Sequence, residues 1–186
     1  MWSSKDIAYV IIFSVLSVVN LATVIQFFTI FVPLPGVVYY VDIVGAILGG
    51  INFLLFEGRR WRIFAKGILI ALLTLPLYLG PGAGPFNIIS RIPIIIKMLL
   101  NDVIFNSLYG SFKRRNKLHL LAILPATFFF TVSPFIDLLF ASLFVPFELL
   151  WLTYSFVAMM LPLIIALSIT GGYIGYRIYK RVEKIT

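Results

Sequence analysis

Cysteine is absent from this chain, which removes disulfides, thiolate metal ligation and cysteine nucleophiles. Histidine occurs once, at His119, too few for a histidine-built metal centre. Acids are scarce: seven Asp and Glu stand against 15 Lys and Arg in 186 residues. There is no acid-rich motif to hold magnesium and a nucleotide, no phosphate-binding glycine loop and no H-E-x-x-H helix. The chain is therefore expected to be no enzyme and to carry neither a metal nor a cofactor. Charge of either sign is low, 12% of residues, while 61% are hydrophobic and the mean hydropathy is +1.07. That leaves too little charged surface for a soluble fold of this length. The expectation is an all-α, multi-pass protein of the cell membrane, one integral domain over residues 1–186 in contact with lipid. The net charge of +8 sits in short runs between apolar segments, which points to topology and not to nucleic acid.

Six apolar segments follow one another: 7–32, 37–56, 63–79, 91–109, 118–140 and 149–176. About 20 residues at roughly 1.5 Å each cross a hydrocarbon core of roughly 30 Å, so this is a six-helix bundle. The first segment has no small-residue cleavage site and is too long for a signal-peptide core, so it is expected to stay in the mature protein. Pro33, Pro35 and Gly36 force a turn after it, and Gly80 to Ser90 forms a Gly/Pro-rich loop. Pro134 lacks a backbone donor and is placed to break the fifth segment near its far end. The spacings Gly45-x-x-x-Gly49, Ala46-x-x-x-Gly50 and Gly171-x-x-x-Gly175 mark faces where helix backbones approach closely. Asp42, Gly45 and Gly49 share one such face, which is expected to pack on protein.

With both termini in the cytoplasm, 13 of the 15 cations lie inside: Lys5, Arg59, Arg60, Arg62, Lys66, Lys113, Arg114, Arg115, Lys117, Arg177, Lys180, Arg181 and Lys184. The exceptions, Arg91 and Lys97, fall in the outer half of the fourth segment, RIPIIIKMLLND. A charge in hydrocarbon costs on the order of 2.5 to 3.5 kcal/mol on insertion scales, so such residues face partners or a water-filled cavity. The same half of the bilayer gathers Asp42, Asp137 and Glu148, with Asn87, Tyr39, Tyr40, Tyr78 and Trp151 nearby. Apolar and aromatic walls with a few fixed polar groups are the composition of a small-molecule pocket. Two readings stand for each cation. Lys97 contacts a ligand, or it braces helices by pairing with Asp42, Asp137 or Asp102. Arg91 contacts a ligand, or it snorkels to the headgroups.

The size, the six segments with both ends inside, the stretch PGAGPFNIISRIPIIIKMLLNDVIF and the ending GGYIGYRIYKRV resemble the substrate-binding S component of energy-coupling factor transporters. That resemblance implies a vitamin or similar micronutrient bound in an outward-facing pocket, and partners consisting of a transmembrane coupling protein and two ATPases. It further implies that Arg91 and Lys97 hold a carboxylate or phosphate, that Asp42, Asp137 or Glu148 accept from a ring amine, and that Tyr39, Tyr78 or Trp151 pack on an aromatic ring. The alanine-x-x-x-alanine docking pattern of many S components is missing from the first segment, which offers Ser14, Ser17 and Ala22.

Overall fold

The structure is a computed structural model that describes residues 2–25, 27, 42–77 and 84–183. Among these residues it is all helical, with seven α-helices and no strand. Helix α1 (Ser4–Asn20) passes into a π-helical turn (Leu21–Ile25), and α2 is Ile43–Phe56. Next come α3 (Arg62–Leu73), a 3-10 turn (Ile89–Arg91) and α4 (Ile92–Asn106). A short α5 (Tyr109–Arg114) precedes α6 (Leu118–Ala141) and α7 (Phe147–Glu183).

Among the described residues three helices are long and apolar enough to cross a membrane: Ser4–Thr23, Leu118–Ala141 and Phe147–Glu183. At 37 residues, α7 is on the order of 55 Å long. To cross a core of roughly 30 Å a helix of that length must tilt or project beyond it. Side chains are distributed inside out. On α1 the buried residues are Asp6, Val10, Ser14 and Asn20, whereas Ile7, Ile11, Ile12, Val15, Leu16 and Val19 face outward. Water expels such an outer face; lipid accepts it, and the polar groups are left to find partners inside.

The helices pack as two sets. In one, α2 lies against α6 and α7, which also pack on each other; in the other, α3 lies between α1 and α4. Contacts of α1 with α2 and of α4 with α6 join the sets. The first set is close-packed through small residues. A Cβ on Gly172 would lie 2.8 Å from the Ala122 carbonyl oxygen, and one on Gly175 would lie 2.7 Å from that of Ile47. Gly50 faces Gly172 and Ala122 across the same junction, and Gly171 faces Ala46. Ala46/Gly50 and Gly171/Gly175 thus make the close approaches expected of them. Gly49 does not: a Cβ there would meet nothing within 4 Å, so the tightly packed stripe of α2 runs through Ala46 and Gly50, one position round the helix from the face containing Gly45 and Gly49.

The second set is held by buried acids. Asp6 closes a capping box with Ser3 at the start of α1 and accepts from Arg59 Nη1 at 2.6 Å and Arg62 Nη2 at 3.1 Å. The Arg62 guanidinium also lies 4.5 Å from the Trp2 ring centroid. The turn between α2 and α3 is tight, with Glu57, Gly58 and Trp61 at positive φ. Trp61, the residue capping α3, offers no side-chain acceptor. Asp102 of α4 supplies one instead, accepting from the backbone N–H groups of Trp61 and Phe64, each at 2.9 Å. A carboxylate at a helix N-terminus satisfies orphan donors and meets the positive end of the helix dipole. Asn106, one turn further along α4, donates to Asp102 Oδ1 at 2.8 Å and to the Arg59 carbonyl at 3.2 Å.

An apolar cluster of Val10, Phe53, Leu54, Phe56, Ile63, Phe105, Leu121 and Ala122 ties five helices together near this end, with Tyr176 and Tyr179 of α7 against it. Pro134 does not break its helix: α6 is continuous through Pro125 and Pro134. Both prolines are buried against neighbouring helices, and packing of this kind sustains a proline-containing membrane helix despite the missing backbone bond.

Candidate ligand-binding site

Lys97 lies one turn after Pro93, on the side of α4 that faces α6, and it is buried. On α6, Phe129, Ser133 and Asp137 recur at four-residue intervals and so stack on one face. The Lys97 ammonium meets all three. It donates to Ser133 Oγ at 2.8 Å and to both Asp137 carboxylate oxygens at 2.8 Å, with its Nζ 5.5 Å from the Phe129 ring centroid. Ser133 donates in turn to Asp137 Oδ2 at 3.3 Å. The lysine side chain is 8% exposed and that of the aspartate 26%, so the pair is closed on the lysine side and open on the carboxylate side. Removing one partner of a buried pair strands the other charge. Lys97→Met is therefore expected to lower stability by about 3 kcal/mol, and Lys97→Met with Asp137→Leu to recover most of that loss. Denaturant unfolding in micelles measures both.

Arg91 is turned into the fold. It is 2% exposed, and its Nη2 donates to the Leu77 carbonyl at 2.6 Å and the Gly84 carbonyl at 3.4 Å, while Nη1 donates to Ser90 Oγ at 3.0 Å. The guanidinium fork thus gathers backbone acceptors from before and after residues 78–83. Asn87 accepts from the Ser90 N–H at 3.3 Å and starts the short 3-10 turn that carries Arg91 into α4. Asp42 caps α2: its Oδ1 accepts from the Gly45 N–H at 2.7 Å and from Asn20 Nδ2 of α1 at 2.8 Å. Any side chain at Gly45 would collide with the Asp42 carboxylate.

Glu148 and Trp151 are exposed at the start of α7, where Trp151 and Tyr154 lie against Phe147. Tyr39, Tyr40 and Tyr78 lie outside the described residues. Of the nominated residues, then, Lys97 and Asp137 are joined directly. Arg91 and Asn87 share a loop, Asp42 belongs to a separate contact between α1 and α2, and Glu148 and Trp151 face outward.

Several buried polar groups escaped the sequence reading. Arg62 and Lys66, counted there among the cytoplasmic cations, are both buried. Asn52 is 1% exposed with neither amide atom hydrogen-bonded, and Asn20 Oδ1, Asn101 Oδ1 and Thr131 Oγ1 are buried without a partner. The available signal was an asparagine in each of three apolar runs, since an amide in hydrocarbon is costly unless bonded. Thr131 borders an apolar groove of about 400 Å³ between α4, α6 and α7, lined also by Phe105, Phe128 and Ile165, which contains none of the nominated residues. Comparison with known protein families, curated proteins and solved structures finds no match to this chain.

Proposed function

We propose that the chain is the substrate-binding membrane subunit of an uptake transporter of the energy-coupling factor type, capturing a vitamin-like micronutrient from outside. In this reading it has six spans with both termini in the cytoplasm. It works with a transmembrane coupling subunit and two ATPases and does no chemistry of its own. The observation that carries the reading is the Lys97–Ser133–Asp137 group, a charged cluster inside an apolar bundle with one open carboxylate edge. Intramembrane ionisable residues are concentrated where solutes bind or pass. Orientation is supported by the polar end of the bundle, where Asp6 of α1, the Arg59–Arg62 turn, Asp102 and the apolar cluster holding Tyr176 and Tyr179 come together. The exposed cations Lys113, Arg114, Arg115 and Lys117 extend from the connection at that end.

The test is thermal stabilisation of the purified chain across a vitamin panel. A ligand at 100 times its dissociation constant adds about 2.7 kcal/mol, and Asp137→Asn is expected to weaken that gain. A folded chain that none of the panel stabilises would sink the proposal. One observation favours a second reading, an accessory subunit of a larger membrane assembly: Asp137 and Ser133 together engage the Lys97 ammonium without any further group. An accessory subunit would bind no soluble micronutrient and would instead co-purify with its neighbours.

A further inference from the structure

We propose that the crevice between α6 and α7 holds one anionic phospholipid, its phosphate at Arg177 and one acyl chain in the apolar groove beside Thr131. The proposal needs only that the chain lies in a membrane and is independent of the transporter reading. Three contacts place the two helices in antiparallel register. The His119 and Tyr176 rings lie 6.0 Å apart, Gly172 abuts Ala122 and Ile123, and Leu124, Thr127 and Thr131 line the groove together with Ile165. On α7, Ile165, Ile169, Tyr173 and Arg177 recur at four-residue intervals, so one exposed face leads from the groove to the guanidinium. Arg177 Nη1 donates to the Tyr173 hydroxyl at 3.2 Å, and the guanidinium lies 6.0 Å from that ring's centroid. The residue is exposed, which leaves the rest of its donor fork open.

Depth and charge both point to a lipid. The groove is apolar, and Thr127, which lines it, commits its hydroxyl to the Ile123 carbonyl at 3.0 Å. Ile165 and Arg177 are separated by about 18 Å along α7 at roughly 1.5 Å per residue. One leaflet measures about 15 Å of hydrocarbon and about 5 to 7 Å of headgroup region, so a chain held at Ile165 belongs to a lipid whose phosphate reaches Arg177. The charge at this end is one-sided. Among the described residues Glu57 and Glu183 pair with Arg59 and Lys180, whereas none of Lys113, Arg114, Arg115, Lys117, Arg177 and Arg181 pairs with an acid. A guanidinium fork matches a phosphate, and basic surfaces beside membrane helices draw anionic headgroups. A soluble phosphate would gain the charge contact without the groove, and a zwitterionic lipid the groove without the net charge.

The experiment uses the full chain in nanodiscs of equimolar phosphatidylglycerol and phosphatidylcholine, each lipid supplied in turn with a photoactivatable diazirine in mid-chain and adducts read by peptide mass. The phosphatidylglycerol probe is expected to label residues 124–132 and Ile165 roughly fivefold more than the phosphatidylcholine probe, and the excess to shrink at about 1 M salt, where charges are screened within about 3 Å. Arg177→Gln should bring the two probes to equal labelling, and Leu124→Trp, which fills the groove, should reduce labelling there by both. Both side chains are exposed, and the comparison of probes on the unmodified chain depends on neither variant. Soluble glycerol phosphate in excess should leave the labelling unchanged, because it brings no chain. Equal labelling by the two probes in the unmodified chain, unchanged labelling in Leu124→Trp, or displacement by glycerol phosphate would overturn the proposal. A phosphatidylglycerol preference without a vitamin response would leave this site standing and remove the transporter reading.

Discussion

Gly172→Ile is expected to cost at least 3 kcal/mol of stability and to separate α6 from α7. A Cβ at this position would lie 2.8 Å from the Ala122 carbonyl oxygen and 2.9 Å from the Ile123 Cα, both backbone atoms that a rotamer change cannot move. Overpacking costs typically 1 to 3 kcal/mol even where side chains can adjust. Here the helix axes must part, and the Gly50 contact to Gly172 and Ala122 is lost with them. The control is Gly49→Ala on the neighbouring stripe of α2, where an added Cβ meets nothing within 4 Å. That change is expected to stabilise by up to about 1 kcal/mol through helix propensity alone. Unfolding midpoints in micelles should therefore move in opposite directions for the two substitutions. Equal and small shifts would show that α7 is not seated on α6 and α2 as described.

Asp102→Ala carries the second large effect. The side chain is 2% exposed and accepts from Trp61 N–H, Phe64 N–H and Asn106 Nδ2. An unsatisfied buried donor costs about 1 to 3 kcal/mol, so three lost bonds point to a total near 4 kcal/mol once relaxation is allowed for. Asp102→Asn keeps one acceptor oxygen and should cost about half as much. The same variants separate capping from general packing: protection of the first-turn amides of α3 in hydrogen exchange should fall for Asp102→Ala while α6 amides stay protected. Uniform loss across the bundle would argue against a local cap.

Much of this architecture is written in residue patterns. The apolar runs 118–140 and 149–176 become α6 and α7 with ends displaced by a few residues, because long uninterrupted hydrophobic segments leave the backbone no alternative to helix in lipid. Ala46-x-x-x-Gly50 and Gly171-x-x-x-Gly175 mark real close approaches, whereas Gly45-x-x-x-Gly49 follows the same spacing without one at Gly49. Spacing fixes which residues share a face but not which face meets a neighbour. The pairing of Lys97 was legible only as a choice among Asp42, Asp137 and Asp102. Asp102 is committed to the start of α3 and Asp42 to Asn20, which leaves Asp137 with Ser133 one turn below it. The burial of Lys66 was not legible, because a cation close after EGRRWR belongs by sequence to a charged run. In the fold Lys66 lies one turn beyond the buried Arg62 and points into the bundle.

The borrowed cap on α3 also orders events during synthesis. Trp61 N–H waits for a carboxylate 41 residues downstream, and Phe64 N–H for the same group 38 residues downstream. When α3 leaves the ribosome its first turn has no acceptor, and the chain that will provide one is still in the exit tunnel or not yet made. With only 12 residues, two of them cations, α3 is a weak insertion signal on its own. The turn between α2 and α3 is thus completed only when α4 has packed against it.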